Sequence, residues 1–356
     1  DSYLWNGTTY TSSGTHTYST LNSNGCDSTA TLILTINISP TSTISDSSNF
    51  NGFGVHCNGD NDGWINLNVS GGVLSYNYSW TGPNGYTSSS PNLSNLEAGT
   101  YNVIVTDANS CITSETHIIT EPILLTSNVD TSNFNGFGVH CNGDTTGWIN
   151  LTVNDGVPSY SYSWTGSTTS SSQNLSNLGV GTYNVTVTDA NSCTTSETVV
   201  ITEPTSFVDI GGGATTSTYA GGFNISCNGY NDGTITVQSG GGVAPYTYYE
   251  GGSPNSPSTS GFFDNLYEGT YNLSVMDANQ CLINWNNIIL TEPTELTSTI
   301  FDSSNYNNFG VHCNGDNDGW IDLAVTGAVP TYSYLWSNGD TTQNISTLSA
   351  GTYSVI

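Results

Sequence analysis

Eight cysteines carry most of the reactive chemistry in this chain, and seven of them recur at fixed places. Cys57, Cys141, Cys227 and Cys313 each open a C-N-G triplet, at spacings of 84, 86 and 86 residues. Cys111, Cys193 and Cys281 each close a D-A-N-S-C or D-A-N-Q-C turn. Cysteines at equivalent points of a chain otherwise poor in reactive groups predict disulfides, formed in an oxidising compartment. The separations Cys57–Cys111, Cys141–Cys193 and Cys227–Cys281 (54, 52 and 54 residues) suggest one bond inside each repeat. By loop closure each would contribute about 4 kcal/mol. Strand geometry objects, because a strand of seven or more residues at about 3.3 Å each would hold the two sulfurs more than about 20 Å apart. Bonds between neighbouring repeats, Cys57 to Cys193 and Cys141 to Cys281, are the alternative, and free thiols are a third. Under either bonded scheme Cys26 and Cys313 would pair outside these residues.

Four other groups could do chemistry. Asn58, Asp60, Asp62 and Gly63 are spaced like the first oxygen ligands and the glycine of a calcium loop, and Asn314, Asp316, Asp318 and Gly319 repeat the pattern. The twelfth position is Val69 where such a loop needs Glu, so a plain β-turn is the simpler reading and weak Ca²⁺ binding the sharper one. His56, His140 and His312 precede the repeat cysteines, but one His and one Cys per repeat fall short of a metal site. Trp64, Trp148 and Trp320 alternate away from the expected core beside Asn/Asp-rich turns. There they could stack on sugar rings, or pack beneath the Phe50/Phe53 segment of their own repeat. No catalytic set assembles: a chain without Lys or Arg has no cationic clamp, and its acids sit in turns that recur with the fold. We therefore expect no enzyme and no cofactor beyond Ca²⁺.

The charge balance narrows the partners. With no Lys or Arg and 28 acidic residues, the formal net charge is −28. Nucleic acids and anionic membrane surfaces both need cationic side chains and are excluded as partners. No apolar run is long enough to insert in a membrane. Asp1 opens no signal peptide and Ile356 ends the chain in mid-strand, so the sequence reads as an excerpt of something longer. Forty Gly and 21 Tyr, in a chain rich in Ser, Thr and Asn, suit short strands joined by many turns.

These residues are positioned by one recurrent element. Leu96–Cys111 (L-E-A-G-T-Y-N-V-I-V-T-D-A-N-S-C) returns at Leu178–Cys193 and Leu266–Cys281, and begins again at Leu348. Within it Tyr101, Val103 and Val105 face one way and Asn102, Ile104 and Thr106 the other, which predicts a half-buried strand. Tyr101, Tyr183, Tyr271 and Tyr353 each follow a Gly turn by two residues, as in the tyrosine corner of a β-sandwich. His16 takes that slot in the first module. Glu-Pro pairs at 121–122, 203–204 and 292–293, with Ser39-Pro40, set the boundaries. They give part of a divergent Ig-like domain (1–40), repeats 1 to 3 (41–122, 123–204, 205–293) and a truncated repeat 4 (294–356). A first strand near Thr43–Ile44, then Trp64–Val69, Tyr76–Trp80, a polar loop at 81–91, the anchor strand and Thr113–Thr120 make roughly seven strands per repeat. Tyr76, Tyr78 and Trp80 share the core face. The expected fold is all-β: tandem immunoglobulin-like sandwiches in an extended rod.

The order C-N-G-D-N-D-G, V-S-G-G, Y-x-Y-S-W, L-x-A-G-T-Y-N-V-x-V-T-D-A-N-S-C and I-T-E-P closely resembles the SprB-type repeat, a PKD-like sandwich module of very large surface adhesins in gliding Bacteroidetes. The resemblance covers residues 41 to 356. It implies type IX secretion, display on the outer cell surface and a part in gliding motility or attachment. It also implies partners among neighbouring repeats, surface polysaccharides or like chains in an extracellular filament. Repeat 3 departs from the pattern, with Thr234 and Glu250 where the other repeats have Trp.

Overall fold

The computed structural model describes residues 2–251 and 257–356, so Asp1 lies outside the described residues. They form two compact units. Of the described residues, one comprises 2–130, 149–175 and 182–199; the other comprises 131–148, 176–181, 200–251 and 257–356. Repeat 2 thus contributes to both.

In the first unit, residues 1–40 supply β1 (Tyr3–Trp5), β2 (Thr8–Tyr10), β3 (Gly14–Leu21) and β4 (Asp27–Leu34). They lie in two antiparallel pairs, β1–β2 and β3–β4. Repeat 1 follows with β5 (Thr41–Ser47), β6 (Gly63–Ser70), β7 (Asn77–Thr81), β8 (Thr87–Ser88), β9 (Leu93–Leu96), β10 (Gly99–Thr106) and β11 (Ile112–Ile119). Its two sheets have the orders β5-β6-β9 and β11-β10-β7-β8. Strict alternation drives the burial. Tyr101, Val103 and Val105 of β10 are buried, whereas Ile104 between them is 49% exposed. Ile65, Leu67, Leu93 and Leu96 from one sheet meet Trp80, Tyr101, Val103 and Val105 from the other in a single apolar cluster, the mark of an immunoglobulin-like sandwich.

The segment 81–91 is not wholly a loop. It holds a 3-10 turn at Pro83–Gly85 and the edge strand β8, and β9 follows at once. Two polar residues between Leu93 and Leu96 hide the period of β9, and Asn95 takes a left-handed φ of 56°. Trp80 is 1% exposed, as a core residue should be, while Tyr76 and Tyr78 are half-buried. Repeat 2 places Trp164 as β7 places Trp80: its strand Ser161–Gly166 pairs with Gly181–Thr188, Trp164 opposite Val185.

In the second unit, repeat 3 forms a sheet from Thr215–Thr216, Gly233–Thr236 and Phe262–Leu266, and another from Thr247–Glu250, Gly269–Met276 and Leu282–Leu290. Glu250 leaves no indole on the strand equivalent to β7. The core is filled instead by Tyr248 and by Trp285, which reaches in from the last strand. Trp285 Nε1 donates to Asp209 Oδ2 at 3.0 Å. Repeat 4 keeps the three-stranded sheet of Thr297–Ser303, Gly319–Thr326 and Ile345–Leu348, with Trp336 in its core.

Candidate functional site: the junction between repeats

The segment before each C-N-G is a rigid knob. In repeat 1 the Phe50 and Phe53 backbones bond to each other (2.7 and 3.1 Å), with Asn51 at φ 51° and Gly52 at φ 95°. Gly54 and Val55 both donate to the Thr120 carbonyl, at 2.9 and 3.1 Å. Gly54 lies so close that a Cβ would meet Ile119 Cγ2 at 2.8 Å. The His56 ring stacks on Phe50 with centroids 3.6 Å apart, and its Nδ1 lies 2.5 Å from Asp62 Oδ2. These contacts, none of which involves the disulfide, hold the backbone that leads into Cys57.

The C-N-G and E-P motifs read each other. Gly59 donates its N–H to Glu121 Oε2 at 2.7 Å, and Asn58 Nδ2 donates to the Pro122 carbonyl at 3.0 Å. Repeat 2 does the same through Gly143, Glu203, Asn142 and Pro204, and repeat 3 through Gly229, Glu292, Asn228 and Pro293. Sequence reasoning read Glu-Pro only as a strand stop. Its near-constant separation from C-N-G, 64, 62 and 65 residues from cysteine to glutamate in repeats 1 to 3, was the missed signal.

The D-A-N-x-C turn makes the complementary socket. Asp189 Oδ1 accepts from the N–H groups of Asn191 and Cys193, and Oδ2 accepts from Val157, all at 2.8–2.9 Å. Asp107 and Asp277 make the same three bonds. The backbone N–H of Val73 is the largest of the influences that hold the Asp107 carboxyl below the usual carboxylate range, those of Cys111 and Asn109 adding to it.

Knob and socket of successive repeats lock together. Asn191 Nδ2 donates to the carbonyls of Phe50 (3.2 Å) and His56 (2.9 Å), while Asn51 Nδ2 donates to Asn191 Oδ1 at 2.5 Å. Cys57 and Cys193 close the contact with a disulfide. At the following junction Asn279 donates to Phe134 and His140, Asn135 donates to Asn279 Oδ1, and Cys141 bonds Cys281. The bonds that spacing suggested within repeats, Cys57–Cys111, Cys141–Cys193 and Cys227–Cys281, are not formed. Each knob is tied to the end of its last strand, whereas each socket turn lies at the far end of the anchor strand. Eight residues of β10 at about 3.3 Å apiece keep the two apart. Cys26, Cys111, Cys227 and Cys313 carry free thiols.

In repeats 1 to 3 the anchor tyrosines lie on the strand that presents the socket. Tyr101 donates its hydroxyl to the Glu97 carbonyl at 3.0 Å, Tyr271 to Tyr267 at 3.0 Å and Tyr353 to Ser349 at 2.9 Å. Tyr183 is equally buried in repeat 2, and burial raises the phenol pKa of both Tyr101 and Tyr183. A second tyrosine bond escaped the sequence: Tyr160 and Tyr246 donate to the carbonyls of Asp155 and Gly241, both at 2.7 Å, and Tyr76 bonds Gly71 likewise. His16 keeps the register of the slot, with Gly14 opposite Leu34, but has no hydroxyl to close the corner. Its ring packs on Tyr10 at a tilt of 39° with centroids 4.0 Å apart, and Nε2 is buried without a partner.

The remaining candidates serve the knob. Asp60 Oδ2 accepts from Cys57 N–H at 3.0 Å and Asp62 Oδ1 from His56 N–H at 3.2 Å; Asp316 and Asp318 repeat both bonds. The carboxylates are thus turned onto the chain's own amides, and no group of three acids, His or Cys suited to a metal occurs among the described residues. The His312 ring is the largest of the influences that hold Asp318 below its usual range. Trp64, Trp148 and Trp320 are half-buried on their strands. Asn58 and Asn142, in the turns beside Trp64 and Trp148, each donate one Nδ2 hydrogen to a proline carbonyl.

Sandwich, corner and clasp together define a tandem immunoglobulin-like repeat protein. The SprB repeat family matches at residues 55–85, 139–169, 224–249 and 311–341, so the chain contains a SprB-type repeat region. The third match stops at 249, just before the departure at Glu250. A comparison with curated protein sequences returned no match. Solved structures similar to the chain include the N-terminal eight Ig domains of Down syndrome cell adhesion molecule, at 10% identity and TM-score 0.33, with 80% of this chain covered. The chain spans only 42% of that structure's length. The protocadherin GammaB4 extracellular domain is similar at 12% identity and TM-score 0.32, over 96% of this chain and 72% of that one.

Proposed function

We propose that these repeats are a structural and adhesive stalk of a cell-surface adhesin or extracellular fibre, serving surface attachment or gliding motility. The observation that carries this reading is the clasp, built from the same residues at two successive junctions. A protein that works by spacing and resisting load needs its modules joined in a fixed way more than it needs a pocket. The disulfides belong to an oxidising compartment, and SprB repeats occur in cell-surface proteins. Its work is then mechanical rather than catalytic. Antibody against residues 41–293 is expected to label intact producing cells, and a strain lacking the repeats is expected to lose attachment and surface movement. Unchanged attachment and movement in that strain would overturn the reading.

A further inference from the structure

The two disulfides overlap along the chain. Cys57–Cys193 and Cys141–Cys281 span sequence separations of 136 and 140 residues, and residues 141–193 lie inside both loops. Besides the backbone itself, three covalent routes therefore join Cys57 to Cys281. One runs 84 residues to Cys141 and crosses the second bond. Another crosses the first bond and runs 88 residues from Cys193. The shortest crosses the first bond, runs back 52 residues from Cys193 to Cys141, and crosses the second.

We propose that this overlap makes the region a breakage-tolerant ladder: any single backbone cut between Cys57 and Cys281 leaves the chain covalently whole. A cut among residues 57–141 is bypassed by the first bond. One among 193–281 is bypassed by the second. One among 141–193 leaves the route through Cys193 and onward intact. Bonds within repeats would protect only the repeat interiors, and a cut at the linkers near Pro122 or Pro204 would sever the chain. The ladder also sets where tension runs once the repeats unfold. The shortest route carries it through residues 141–193, while both proline linkers stay slack. At about 3.5 Å per extended residue that route is about 180 Å long, against about 780 Å for the 224-residue backbone. The biological use of the ladder rests on the stalk reading; the property itself belongs to the polypeptide.

A rung opens by thiol–disulfide exchange. An external thiolate attacks one sulfur, forms a mixed disulfide and releases the other cysteine as thiolate; a second external thiolate then frees the first cysteine and leaves as the oxidised thiol. A cleft of about 300 Å³ lined by Cys57, Pro122, Leu124 and Cys193 lies beside the first rung, giving a small thiol a place to attack.

The test inserts a recognition site for a specific protease after Pro122, after Ser171 or after Pro204, one per variant of the full chain, and runs the cut protein on denaturing gels. All three are expected to stay as one band without reductant and to give two bands after dithiothreitol. In a Cys141→Ser background, the cut after Pro204 is expected to separate without reductant and the cut after Pro122 is not. Two bands without reductant after the Pro122 or Pro204 cut in the parent chain would overturn the proposal. Should an insertion prevent folding, the chain carrying Cys111→Ser and Cys227→Ser, whose thiols are free, is held by its termini instead. Full unfolding in dithiothreitol is expected to release about 600 Å more contour than without it, and a gain of about 180 Å, as a bond from Cys141 to Cys193 alone would give, or none, would overturn the ladder. Loss or retention of cell attachment leaves either result untouched, so the two readings fail separately.

Discussion

At the residue scale the socket aspartate and the corner tyrosine hold the most. Asp189 satisfies three backbone N–H groups that would otherwise be stranded in the interior, so Asp189→Ala is expected to cost roughly 2–4 kcal/mol in denaturant unfolding. An unchanged midpoint would mean that the turn closes without it. Asp107 adds a pH signature. Its carboxyl titrates lower in the folded chain than in the unfolded one, so its contribution is full above the ordinary carboxylate value of about 3.9 and is lost as pH falls through the folded value. The gap in melting temperature between the parent chain and Asp107→Asn should therefore be widest near neutrality and close below about pH 4. A gap independent of pH would contradict this. Tyr101→Phe keeps the ring and removes one hydrogen bond, an expected loss of about 1 kcal/mol.

The element scale shows what could be read from the sequence. Strands with strict alternation, such as β6 and β10, were legible because each buried position is flanked by a more exposed one. The corner was legible too, since a Gly turn followed two residues later by Tyr is a local pattern. β9 was not, because two adjacent polar residues lie between its buried leucines. The disulfide partners could not be chosen from sequence, since spacing alone fits both schemes. What decides is which end of the sandwich each turn occupies, and that depends on Gly54 and Val55 binding to Thr120, 65 residues downstream of Val55. Gly54→Ala places a methyl group against Ile119 and the Thr120 backbone, and is expected to cost about 1–3 kcal/mol by overpacking. Chemical denaturation of a repeat 1–2 fragment would measure it, and a neutral effect would show that the knob is looser than drawn.

For the whole molecule, each clasp couples the stability of one repeat to the next. Loop closure over 136 residues contributes about 5 kcal/mol, so reduction is expected to lower the unfolding midpoint of residues 41–293 markedly while leaving repeat 4 unaffected. A net charge of −28 with no cation in the chain works against compaction, and added salt should raise the same midpoint. All of this depends on neighbouring repeats being joined sulfur to sulfur. A non-reducing peptide map made with a protease that cuts at Asp and Glu tests it most directly. Linked peptides containing Cys57 with Cys193 and Cys141 with Cys281 are expected; peptides linking Cys57 to Cys111 and Cys141 to Cys193 would rule the inter-repeat joint out.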